Sequence, residues 1–167
     1  MKMIGVMPDA DHRPVGAGNL PFWKWARRAQ PAKPRGPTAM GQLPDKGQEK
    51  ARATYDAAKA GQFVMPEDGA TRLAAKCDKL IDGLEDEIAG AKHLTQVTGF
   101  PDLPSGLALT KGFSAKGQEY IDTLKAFRLA ALQYKAAYLA AGKQFTEAEA
   151  ANQAAIKYAA KQLEDNA

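Results

Sequence analysis

Eight residues between Tyr120 and Phe145 recur at alternating spacings of four and three: Tyr120, Leu124, Phe127, Ala131, Tyr134, Tyr138, Ala141 and Phe145. That period belongs to an α-helix with one apolar face and excludes a strand. Such a face has to lie against another helix, so the stripe predicts an all-α fold before anything else is read.

A second stripe supplies the partner. Leu73, Cys77, Leu80, Leu84, Ile88 and Ala91, flanked by Ile81 and Leu94, predict a long helix beginning near Pro66. Proline suits a first helical turn, and Glu67 and Asp68 suit its positive end. Between the stripes, the run 98–106 holds two prolines and two glycines and ends the first helix. The second helix then starts at Leu107–Leu109 or is capped later by Ser114. Each long helix spans about 40 Å at ~1.5 Å per residue. A short connection makes them an antiparallel helical hairpin over residues 63–163. A short helix at 45–62, anchored by Tyr55 and stopped by Gly61, precedes it. After Gly142, Thr146 with Glu149 three residues on reads as a capping box for a C-terminal helix. Ala151, Ala155, Ile156 and Ala159 give that helix its packing face. No segment reads as a strand.

Apolar residues make up 45% of the chain, but alanine dominates them and buries little area per residue. A thin core is expected, with partner helices completing it. The expected partner surface is Leu73, Leu80, Leu84, Ile88, Tyr120, Leu124, Phe127, Tyr134 and Tyr138. The partner would be another small helical protein, as a homo- or heterodimer.

The net charge of +4 is unevenly placed. Residues 1–40 hold seven basic and two acidic residues, which leaves sixteen basic and seventeen acidic for the remainder. The folded part is thus near neutral and is not marked for nucleic acid. Residues 1–44, broken by Pro14, Pro21, Pro31, Pro34, Pro37 and Pro44, read as a disordered basic tail. Within it, Phe22-Trp23-Lys24-Trp25 with Arg27 and Arg28 suits a membrane surface or a nucleic acid. The same stretch also reads as a plain tail, or as sequence upstream of a true start at Met40. No apolar run is long enough to span a membrane, and the start, Met1–Met7, lacks the continuous apolar core of a signal peptide.

Enzyme signatures are not found. Cys77 stands alone on an apolar stripe and reads as core. His12 and His93 lie far apart in sequence, which argues against a metal site or a catalytic dyad. Ser105 and Ser114 lie outside any nucleophile-elbow pattern. Lys111-Gly112 has the wrong order for a phosphate loop. Glu85, Asp86 and Glu87 are consecutive, so they point in different directions around a helix. The tyrosine stripe can frame a ligand, but a helix–helix seam explains it more simply. Arg128 and Lys135 flank that seam as edge charges. No cofactor and no metal are expected.

Three segments resemble one family: Phe63-Val64-Met65-Pro66-Glu67, Leu107-Ala108-Leu109-Thr110-Lys111-Gly112-Phe113 and Phe145-Thr146-Glu147-Ala148-Glu149. Together they resemble the small helical proteins of actinobacterial type VII (ESX) secretion, the WXG100-like superfamily, and within it the EspC type. The likeness covers roughly 63–160. It implies a non-enzymatic, dimerising hairpin that leaves the cell without a signal peptide. It also implies an export motif, an aromatic residue and an acid four apart, here Phe145 and Glu149. A secretion chaperone or an ESX ATPase would be the further partner. Two features depart from the family pattern. The turn lacks Trp-x-Gly, and the motif aromatic is Phe145 where the family has Tyr. A cytoplasmic helical adaptor, or a nucleic-acid or membrane-surface binder acting through the tail, is the alternative.

Overall fold

The structure, a computed structural model, describes residues 43–165. The expectations placed on the basic tail, the Phe22–Trp25 cluster and Met40 lie outside the described residues. Those described form four α-helices and no strand. They are α1 (Gln48–Lys59), α2 (Glu67–Ala91), α3 (Pro104–Ala141) and α4 (Phe145–Glu164), with a 3-10 turn at Lys92–Thr95.

Local chemistry sets most of the boundaries. The Asp45 carboxylate accepts hydrogen bonds from the Gly47 and Gln48 N–H groups at the start of α1. Those backbone donors, Gly47 first, hold its carboxyl below the usual carboxylate range. Gly61, at φ 73°, turns the chain out of α1. Pro66 sits just before α2, followed by Glu67 and Asp68. Pro104 is the first residue of α3, earlier than either boundary read from sequence. Proline is accommodated there because the first-turn N–H groups have no intrahelical partner.

α3 is the axis of the fold. The other three helices each pack along it, and α1 and α4 also meet through the side chains of Tyr55 and Glu149. α2 runs antiparallel to it: Asp78 pairs with Lys135 at 2.7 Å and Glu85 with Arg128. The 3-10 turn stays close to α3 because Gly117 lies against the backbone carbonyl of Leu94, where a Cβ would collide. From Ala126 to Ala141, α3 is buried on nearly every side. A helix apolar all round belongs in an interior, and here alanine lets three neighbours approach it. The core is correspondingly fine-grained. Tyr55, Ala58, Ala74, Ala136, Ala137, Leu139, Ala140, Ala141, Ala148 and Ala151 form its main cluster. Ala91, Ile121 and Leu124 form a smaller one, backed by Leu84 and Ile88.

This packing corrects several sequence expectations. The inward face of α2 is Ala70, Ala74, Cys77 and Ile81, while Leu73 and Leu80 are exposed. The alanines bring the backbones together and leave the leucines on the flank. On α3, Leu124 is buried and Tyr134 and Tyr138 are half-buried, but Tyr120 and Phe127 are exposed. Cover over this stripe is uneven along its length. On α4 the inward residues are Ala148, Ala151 and Ala155, and Ile156 faces solvent. The capping box is absent. α4 begins at Phe145 after a turn through Lys143 (φ 62°), with Gln144 in the cap position and no side-chain cap bond. Thr146 is therefore already inside the helix.

Candidate recognition surface at the start of the last helix

The corner between α3 and α4 is held from several directions. The Gly142 N–H donates to the Tyr138 carbonyl, Lys143 N–H to Ala140 and Gln144 N–H to Leu139. The Gln144 amide donates to Thr71 Oγ1 at 2.9 Å and to Glu67 Oε1 at 3.3 Å, which ties the corner to the start of α2. The Met65 N–H donates to the Ala141 carbonyl at 3.0 Å. Phe145 follows this fixed turn and is 53% exposed.

Glu149 lies one turn further on, on the same side of α4. Its carboxylate accepts a 2.8 Å hydrogen bond from the Tyr55 hydroxyl on α1. Lys59, also on α1, places its ammonium 4.0 Å from the same oxygen and 5.5 Å from the centre of the Tyr55 ring. The Glu149 side chain stays about half exposed, so the ion pair with Lys59 is solvent-screened and weak. Burial, then the bond to Glu149, pushes the Tyr55 hydroxyl up to about 12. That phenol stays protonated and is a donor, not a base. The cluster therefore presents an exposed ring beside a fixed, negatively charged carboxylate.

The expected partner residues separate into two groups. Leu84, Ile88, Leu124, Tyr134 and Tyr138 are covered within the chain, whereas Leu73, Leu80, Tyr120 and Phe127 reach solvent. Tyr134 and Tyr138 stack at 5.9 Å, and Gly47 approaches the Tyr134 ring. The Tyr120 hydroxyl donates to Glu87 at 2.9 Å, and that bond, more than burial, pushes it up. Burial pushes the Cys77 thiol up, in keeping with a core residue. Arg128 and Lys135 join α3 to α2 of the same chain.

Sequence reading missed two features. Arg128 ties three helices, pairing with Glu85 on α2 and stacking 4.4 Å over the Tyr158 ring on α4. Gln48 is buried at the start of α1, and its amide donates to the carbonyls of Pro44 and Ala126, each at 3.1 Å. Both residues carry polar groups that composition assigns to the surface, and neither sits in a motif. No group of His, Cys, Asp and Glu among the described residues could hold a metal ion. No helix among them is long and apolar enough to cross a membrane. Comparison with protein-family models, curated proteins and solved structures returns no match for this chain.

Proposed function

We propose that this protein is a substrate or secretion-associated partner of a type VII (ESX) secretion system, recognised through Phe145 and Glu149. The observation that carries the reading is the exposure of Phe145 on a rigid corner, one helical turn from a solvent-reaching carboxylate. An aromatic ring held out of a core leaves apolar area for a receptor to bury. A carboxylate one turn on adds charge and direction. The resemblance over 63–160 supplies the system that reads such a mark. On this reading the hairpin of α2 and α3 pairs with a second small helical protein through Leu73, Leu80, Tyr120 and Phe127, the exposed part of the expected surface.

The test is export, read as the ratio of protein in culture filtrate to protein in the cell lysate. Phe145→Ala and Glu149→Gln are expected to abolish export with helicity unchanged. Tyr55→Phe keeps the motif and removes only the tie to α1, so it is expected to be exported. Unchanged export of the first two variants would overturn the assignment. A cytoplasmic adaptor is the second reading. It is favoured by the cover that α1, α2 and α4 give to α3, which lets the fold stand without a partner. It requires retention of the parent chain in the lysate.

A further inference from the structure

The end of the fold built from residues 94–113 carries Leu94, Phe100, Leu103, Leu107, Leu109 and Phe113, all exposed to solvent. It is a protruding end. α1 meets α3 at Ala126, about 33 Å along the helix from Pro104, and Arg128 meets Tyr158 of α4 at a similar level. Only the end of α2, the 3-10 turn and the loop after it accompany the first turns of α3. The Val97 N–H donates to Ser114 Oγ at 3.2 Å, and Phe100 stacks on Phe113 at 5.8 Å with the rings parallel within 1°. These contacts fix the loop to α3, so the apolar side chains are displayed on an ordered tip. An open apolar cleft between Leu94, Val97, Phe100 and Phe113 runs into it.

The arrangement differs from a helix–helix seam. Leu107 and Leu109 are two residues apart and so project about 200° apart around α3. Lys111 and Phe113 are related in the same way. A partner helix covers one flank and leaves the other in water. A lipid headgroup layer closes around a protruding end from every side.

Charge points the same way. From 92 to 116 the chain carries Lys92, Lys111 and Lys116 against Asp102 alone. Over 41–167, by contrast, acidic residues outnumber basic ones. Lys116 pairs with Glu119 at 2.6 Å. Lys92 and Lys111 are exposed, and no described carboxylate forms an ion pair with either. Exposed apolar side chains flanked by these two lysines match an anionic lipid interface.

We propose that this tip docks on an anionic membrane surface. Leu107, Leu109, Phe100 and Phe113 enter the headgroup layer, and Lys92 and Lys111 lie against lipid phosphates. The docking is peripheral and independent of the export reading.

The test uses the full chain in flotation with vesicles of phosphatidylcholine alone and of phosphatidylcholine mixed with phosphatidylglycerol. Binding is expected to the mixed vesicles and to fall as salt is added. Leu107→Ser and Phe113→Ser are each expected to weaken it about tenfold. Lys111→Glu is expected to weaken binding to the anionic vesicles only. These positions are exposed, so circular dichroism should stay that of the parent. Parental binding by the tip variants overturns the proposal, the more so if deleting residues 1–39 abolishes binding. Tip variants that change the association state of a chain showing no vesicle binding also overturn it, in favour of a protein partner.

Discussion

Tyr55 shows how much one side chain can hold at the residue scale. Its ring anchors α1 in the main core, and its hydroxyl crosses to Glu149 on α4. With the weak Lys59–Glu149 pair, that bond ties together two helices that both pack chiefly on α3. Replacing Tyr55 with Phe keeps the ring and removes the bond, which is worth about 1 kcal/mol. At neutral pH the variant is expected to unfold at lower urea concentration with an unchanged denaturant slope. The pH dependence has a definite sign. The folded-state value of about 12 lies above the unfolded value near 10, so folding favours the protonated phenol. Its contribution is complete below about pH 10 and is lost as pH rises toward about 12. The gap in urea midpoint between parent and Tyr55→Phe should therefore close across that alkaline range. A gap that stays constant across that range would mean that folding does not shift the titration of the phenol. The expected capping role of Glu149 could not foresee this bond, because a capping box is a local pattern and Tyr55 is distant in sequence.

At the scale of elements, alanine decides how the helices meet. Ala51, Ala70, Ala136 and Ala137 are essentially inaccessible, and no large side chain is completely enclosed among the described residues. The helices meet largely through alanine side chains, so the seams tolerate little added volume. Ala137→Leu is expected to cost about 1–3 kcal/mol through overpacking, although leucine is nearly as good a helix former as alanine. Ala115→Leu, at an exposed position of the same helix, should stay within ~0.5 kcal/mol of the parent. Urea denaturation of the two variants checks the contrast, and equal midpoints would show that the seam has slack. The same alanines explain why helix positions were legible in the sequence while helix faces were not. Pro66, Gly61 and Gly142 mark ends by backbone chemistry that any context preserves. Which side of α2 turns inward depends on how closely the partner approaches. A hydrophobic stripe weights Leu73 and Leu80 over Ala70 and Ala74, and a close alanine contact reverses that order.

Across the whole molecule, cover over α3 is graded from one end to the other. The periodic stripe announced α3 and its antiparallel neighbour α2, since both signals are carried by residues close in sequence. That three helices share one half of α3 depended on long-range pairs such as Gln48 with Ala126 and Arg128 with Tyr158, for which the sequence has no local sign. The candidate site was legible as the spacing of Phe145 and Glu149, but its attachment to α1 was not, for the same reason. The gradient has a dynamic consequence. Local opening is cheapest where few apolar contacts must break. From Ala126 to Ala141 an opening must disrupt packing against α1, α2 and α4, whereas at 104–116 it disrupts only contacts with the end of α2 and its loop. Hydrogen exchange followed by mass spectrometry should therefore find strong protection at 126–141 and weak protection at 104–116, within one continuous helix. Adding anionic vesicles should slow exchange at 96–116 and leave 126–141 unchanged, because only the exposed end meets the lipid. Uniform protection along α3 in solution would show that the helix opens as a single unit, against the uneven cover seen in the fold.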